Sequence, residues 1–332
     1  MENMVRKESD KNFWINKRVL VTGANGFLGY WITKRLTELD ANVVVLIRDM
    51  IPNSLTNDLY QNKKILALVN GDLRDRELLV RLMNEYDIRY CFHLAAQAIV
   101  GVANKSPIST FESNIMGTWN VLEAARIIGL DGVIVASSDK VYGDQKVLPI
   151  KEDQKLLADY PYDVSKVCAD YLTGCYFKTY ELNVALTRCA NLYGGGDFNL
   201  SRLIPGTIVS VLKGEDPVIR SDGKMLRDYL YIDDAVFAYL LLAERVSEAG
   251  VSGEAFNFGT YYPKTVLEVV ERIISVSGVK KLKPIVLNEA KYEIKKQYLD
   301  SSKAKKLLGW ESNTKFDDGI SKTFAWYKNF FG

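Results

Sequence analysis

Short apolar runs alternate with longer, helix-like segments through the first half of the chain. The runs fall at 18–22, 42–47, 65–70, 89–94, 132–137 and 183–188, each rich in Val, Ile and Leu without polar alternation. That pattern predicts strands buried on both faces, as in a sheet covered by crossover helices. Between them, segments 28–39, 76–85, 110–128 and 162–180 carry apolar residues at helical spacing. Asp75 stands where an N-cap belongs before the second of these. A seventh strand is expected at 254–258. The repetition predicts an α/β protein, a doubly wound parallel sheet of about seven strands.

The second half is less regular. Glycines 194–196, Pro205 and residues 221–224 punctuate it, and 300–308 reads as a short helix ending at Gly309. A smaller, interleaved α+β substrate lobe is expected from 191–231 and 262–332. The sheet domain then takes 15–190, with 232–261 returning to it, and 1–14 is a polar tail.

Composition narrows the function classes. Forty-three Lys and Arg against 41 Asp and Glu leave a net charge of +2. That balance gives no strong basic field, so neither a nucleic-acid nor a membrane-surface partner is expected. No apolar stretch is long enough to span a membrane, and the N-terminus lacks a signal-like apolar core. The four cysteines form no CxxC pair, so a cytoplasmic protein with reduced thiols is expected. His93 is the single histidine. Metal sites built on two or more His are therefore excluded, and no metal is expected. Acid–base work falls to Tyr, Lys, Asp and Glu.

The first strand runs into GANGFLG at 23–29 and then a helix. A glycine triplet between strand and helix marks a dinucleotide site, where free N–H groups and the helix dipole meet a pyrophosphate. Gly23, Asn25, Gly26, Phe27, Leu28 and Gly29 are the candidate contacts; a purely structural turn is the bland alternative. An acid ending the second strand would select NAD through the ribose. Here Ile47 holds that place, followed by Arg48, suited to a 2′-phosphate, and Asp49, which reaches the ribose if the strand runs on. NAD and NADP both stay open, as does a pair of solvated loop charges. Asp72 and Leu73 follow the third strand and would hold the adenine. Leu94, Ala95, Ala96 and Gln97 follow His93, and small residues there let backbone approach a cofactor. His93 itself reads as a packed, hydrogen-bonded residue.

Tyr162 and Lys166 have YxxxK spacing, which places both on one helix face. An ammonium there, next to the cofactor's positive nicotinamide, would lower the phenol's pKa and make a base for a sugar hydroxyl. The pair follows SSDKVYG at 137–143, which ends a strand where α/β ligands sit.

With these motifs go HLAAQ at 93–97, NIMGTWNVLEAA at 114–125, RCANLYG at 188–194, RDYLYIDD at 227–234 and LGW at 308–310. The chain thereby resembles the extended short-chain dehydrogenases/reductases, the nucleotide-sugar epimerases and dehydratases, over nearly its whole length. The Asp139-Lys140 pair is similar to the CDP-glucose 4,6-dehydratase branch. So are Phe13-Trp14, Tyr30-Trp31, the glycines before Asp197 and the run 297–300. The resemblance implies a 4,6-dehydratase acting on a nucleotide-diphosphate sugar with NAD or NADP recycled in each turnover. Tyr162 would take the O4 proton, with Ser138 hydrogen-bonding O4. Asp139 would protonate the leaving 6-hydroxyl, and Lys140 would remove the C5 proton; a structural salt bridge is the alternative for Lys140. Asn191 and Arg227 would hold the diphosphate, Arg227 with a surface ion pair as its alternative. Gln97, Arg202 and Glu293 would meet sugar or base. A 4-epimerase of the same fold and a non-enzymatic dinucleotide-binding scaffold are the rival readings. The apolar faces of 110–128 and 162–180 suggest a homodimer joined by a four-helix bundle.

Overall fold

The apolar runs become parallel strands because neither of their faces meets water. The computed structural model describes residues 9–49, 54–289 and 294–331. Its central sheet contains β1 (Arg18–Thr22), β2 (Asn42–Ile47), β3 (Ala67–Asn70), β4 (Tyr90–His93), β5 (Gly132–Ala136), β6 (Val184–Cys189) and β7 (Ala255–Phe258). The order is β7-β6-β5-β4-β1-β2-β3, and every pairing is parallel. This is the Rossmann arrangement, whose strand order reverses between β1 and β4. β3 begins two residues later than the run suggested, and the other boundaries shift by one residue or none.

Period-two alternation splits each strand between two cores. Val19, Val21, Val45, Phe92 and Ile134 pack with Trp14, Ile32 and Leu36 on one face. Leu20, Val44, Leu46, Cys91 and Val133 pack with Leu79, Leu82 and Leu122 on the other. The Arg76–Glu85 helix starts as expected, with the Asp75 carboxylate accepting from Leu78 N at 2.9 Å.

Two expectations need correction. The helix expected over 110–128 is broken: Pro107–Phe111 and Gly117–Ile128 flank a π-helical turn, Glu112–Met116. Asn114 explains the break. Its carbonyl accepts from the Thr118 hydroxyl, and its side chain is buried among Gln97 and Ser165. Ordered packing also begins inside the expected tail. Asp10 caps a helical turn at Lys11–Trp14, and Trp14 is fully buried with its indole N–H on Glu244 Oε1 at 2.9 Å. Segment 232–261 returns to the sheet as expected, through Ile232–Glu244, a helix buried nearly all round, and then β7.

Apart from β7, the strands after β6 are short and lie outside the sheet. Asn191–Tyr193 pairs with Tyr229–Tyr231, and Leu226–Arg227 lies between Lys264–Thr265 and Lys296–Gln297. Helices Leu203–Leu212, Val266–Ser277 and Phe316–Phe331 pack around them. The middle one opens on a capping box between Thr265 and Glu268 and closes at Gly278, φ +74°. The short Ser302–Leu308 helix ends at Gly309 in the left-handed region, as its sequence predicted.

Candidate active site

A single cleft of about 700 Å³ opens at the C-terminal ends of the strands. Its first wall is backbone. Gly23 sits at φ +72°, and a Cβ there would stand 2.8 Å from Ala95 Cα. A Cβ on Gly29 would stand 2.1 Å from the Gly23 carbonyl oxygen, so strand, turn and helix close on each other only without side chains. Gly26 is the N-cap of the Phe27–Glu38 helix, and no side chain caps the amides that follow it. Amides and helix dipole together suit a pyrophosphate at the strand-order switch point. The residues present therefore fit a dinucleotide.

Each expected cofactor residue lines this cleft: Gly23, Asn25, Gly26, Phe27, Leu28 and Gly29 in the turn, then Arg48 and Asp49 after β2. Asp72 and Leu73 follow β3, and Leu94, Ala95 and Ala96 follow β4, with Gln97, expected on the substrate side, lining the cleft next to them. Arg48 and Asp49 pair with each other at 2.7 Å, while Asn25 Nδ2 donates to the Asp49 carbonyl. Asp72 gives its two oxygens to the Arg74 backbone N–H and guanidinium. Burial works to raise its pKa, but the Arg74 contacts outweigh it and hold the carboxyl below its ordinary value. His93 is buried and structural, as expected: Nδ1 meets Thr22 Oγ1 and Nε2 meets Thr118 Oγ1, each at 3.0 Å. Burial, helped by the Lys166 charge, pushes it down to about 3.

The second wall is made of side chains. Ser138 begins a single 3₁₀ turn, Asp139–Tyr142, and its Oγ accepts from Lys140 N at 3.2 Å. Lys140 Nζ lies 3.0 Å from both Asp139 carboxylate oxygens, with Asp139 almost fully buried. The salt bridge written as the alternative for Lys140 is thus what the turn forms. Tyr162 faces the pair from the first turn of the Pro161–Tyr180 helix, hydrogen-bonded by Ser138. Lys166, one turn further on, is buried and donates to the Ala136 carbonyl at 2.7 Å.

The protein's own groups do not by themselves supply the depression expected beside the cofactor. Burial pulls Lys166 down to about 8. Tyr162 is not depressed. Burial pushes it up to about 12, the Ser138 hydrogen bond opposes that, and Asp139 adds to it. The Lys166 ammonium is turned to a backbone carbonyl, so it does little for the phenol in this arrangement.

On the substrate side, Asn191, Arg202 and Arg227 all line the cleft. Asn191 donates to the Asp228 carbonyl, and Arg202 pairs with buried Asp197 at 2.9 Å. Asp228, next to Arg227 in the chain, accepts from the Thr260 backbone and hydroxyl. Glu293 lies outside the described residues. Three contributors escaped the sequence reading. Asn114 holds the Gln97 backbone, Tyr239 lines the cleft floor, and Gln297 reaches Lys140 from the second lobe. Asn114 and Gln297 stand within quoted motifs, which mark where they fall but not what they touch. Among the described residues, no group of three or more His, Cys, Asp or Glu is placed to hold a metal ion.

The family model described as GDP-mannose 4,6 dehydratase matches residues 20–323. A CDP-glucose 4,6-dehydratase of Salmonella typhimurium is 29% identical over 96% of this chain and 92% of its own. The UDP-glucose 4-epimerase of Thermotoga maritima, solved with UDP-glucose, superposes with TM-score 0.87 at 29% identity, covering 95% of this chain and all of that one. The dTDP-glucose 4,6-dehydratase of Streptomyces venezuelae, solved with NAD, superposes at 0.84 and 27% identity, covering 94% and 97%.

Proposed function

We propose that this chain, which belongs to the GDP-mannose 4,6 dehydratase family, removes water across C5 and C6 of a nucleotide-diphosphate hexose of the CDP-glucose kind. The observation that carries this is the Asp139–Lys140 pair, set in the same cleft as Tyr162 and Lys166. An epimerase needs the Tyr–Lys pair alone. Water loss needs an additional acid and base.

NAD or NADP, seated on the glycine turn, supplies oxidation at C4 and the matching reduction at C6. Arg227 and Asn191 hold the substrate diphosphate, where a guanidinium fork suits the charge. Tyr162 receives the O4 proton. Burial holds its pKa near 12, so it gives up its own proton only when positive charge arrives beside it. The 4-ketone then acidifies C5–H.

Asp139 and Lys140 act as one unit. At rest they are carboxylate and ammonium, 3.0 Å apart. Moving one proton across that contact makes carboxylic acid and amine, the forms that elimination requires. Lys140 Nζ takes the C5 proton, the C5–H electrons form C5=C6, and the C6–O bond breaks as Asp139 gives its proton to the leaving hydroxyl. Water departs, and carboxylate and ammonium are restored. As C6 is reduced, a solvent proton enters C5 and Tyr162 gives up the proton taken from O4, so the protons balance. One proton serves the pair, so water loss should follow a bell-shaped pH profile.

A homodimer belongs to the same reading. Ile108, Trp119 and Tyr171 are exposed apolar or aromatic side chains on the Pro107–Ile128 and Pro161–Tyr180 segments, available to a second copy. The test of function is incubation with CDP-glucose, dTDP-glucose, UDP-glucose and GDP-mannose. A product lighter by one water supports dehydration; an epimer of unchanged mass, or no turnover, rejects it.

A further inference from the structure

Gln297 is a neutral residue 1% exposed, on the short Lys296–Gln297 strand of the second lobe. Both ends of its amide are used. Oε1 accepts from Lys140 Nζ at 2.6 Å, and Nε2 donates to the Asp139 backbone carbonyl at 3.0 Å. A flipped amide would set NH₂ against an ammonium and oxygen against a carbonyl, so the orientation is fixed by its partners. The same strand pairs with Leu226–Arg227, with Gln297 opposite Arg227 in the register. One residue therefore joins the strand beside Arg227 to the turn carrying acid and base.

We propose that Gln297 is a positioning residue for water loss: from the second lobe it holds the Lys140 head group against Asp139 and pins the turn that carries both. This rests on the dehydratase reading above. Lys140 is a long, flexible side chain, a quarter exposed, and its own turn supplies only Asp139 as an acceptor. Without the Gln297 oxygen the ammonium loses its anchor outside that turn, and the Asp139 carbonyl loses its donor. Gln297 is absent from the cleft lining, so substrate affinity should not depend on it.

The pair's other ionisable neighbours come from several elements. Asp163, whose charge couples to Lys140 and Asp139, and Tyr162 lie on the Pro161–Tyr180 helix. Cys189 lies at the end of β6, and Asp228 lies beside Arg227. Substitution at 297 leaves all four in place.

The test compares Gln297→Leu and Gln297→Glu on whichever of the four nucleotide sugars the wild-type chain dehydrates. Both should lower kcat about 10- to 100-fold, as loss of a supporting contact does, with KM within about three-fold. The bell should move in opposite directions. An added carboxylate stabilises the protonated pair and shifts both limbs to higher pH. A lost acceptor shifts them lower. Wild-type kcat, or equal losses with unmoved pH profiles, would overturn the proposal. So would loss of the folded state in Gln297→Glu, which makes the residue structural. If the wild-type chain dehydrates none of the sugars, the dehydratase reading fails first and this role falls with it.

Discussion

The two walls of the cleft are built by different means. The cofactor wall centres on the backbone of one short turn, where Gly23 and Gly29 let strand, turn and helix touch at distances no Cβ would permit. The acid–base wall is side chain, gathered from residues far apart in sequence: Asp139 and Lys140 after β5, Tyr162 and Lys166 on a helix, and Gln297 from the other lobe. Backbone geometry can hold a ligand whose chemistry is its own. Proton transfer needs titratable groups, and these must be held by partners outside their own segment. The walls should therefore fail differently when damaged: the first by losing cofactor, the second by losing chemistry with the cofactor still bound.

The largest effect is expected on the second wall. Asp139→Asn keeps the shape but cannot deliver the proton, so dehydrated product should form about 10²–10⁴-fold more slowly, the range of general acid catalysis. Dinucleotide released from the denatured protein should match wild type. Loss of cofactor along with rate would break the distinction. Gly29→Ala attacks the first wall. Its new Cβ meets the Gly23 carbonyl, which cannot give way as a side chain would. Bound dinucleotide should fall to a small fraction, with about 1–3 kcal/mol of stability lost, read by released cofactor and a urea melt. Arg227→Met should raise KM about ten-fold or more by losing a charged diphosphate contact, and steady-state kinetics would show it.

The smallest effect is an absence of titration beneath the cofactor wall. An unfolded chain protonates His93 near pH 6.5, whereas the folded one does so only near pH 3. Its contribution is therefore fully present above 6.5 and lost as pH falls from 6.5 to 3, at most about 5 kcal/mol. Its imidazole NMR signal, the only one in the chain, should stay fixed from pH 8 to 5. A midpoint near 6.5 would show an exposed ring.

What the sequence made legible follows the same division. The strands and the glycine turn could be read because each is specified locally, by an apolar run or a spacing of three residues. The Asp139–Lys140 and Tyr162–Lys166 spacings also placed the reactive groups. Their protonation was not legible, since it depends on burial, which raises Tyr162 and which no spacing reveals. Gln297 was invisible as a contact because the partner that gives it meaning lies 157 residues away. The break at Glu112–Met116 was hidden for the same reason, since Asn114 serves Gln97 and Ser165 rather than its own helix.

The central claim is that both walls act on one hexose, with oxidation at C4 and reduction at C6 joined by loss of water. Nucleotide-linked glucose carrying deuterium at C4 tests it most directly. The account predicts a 4-keto product lighter by one water, with the deuterium in its C6 methyl group and one solvent hydrogen at C5. Deuterium returned to C4 of an epimerised sugar of unchanged mass would contradict it.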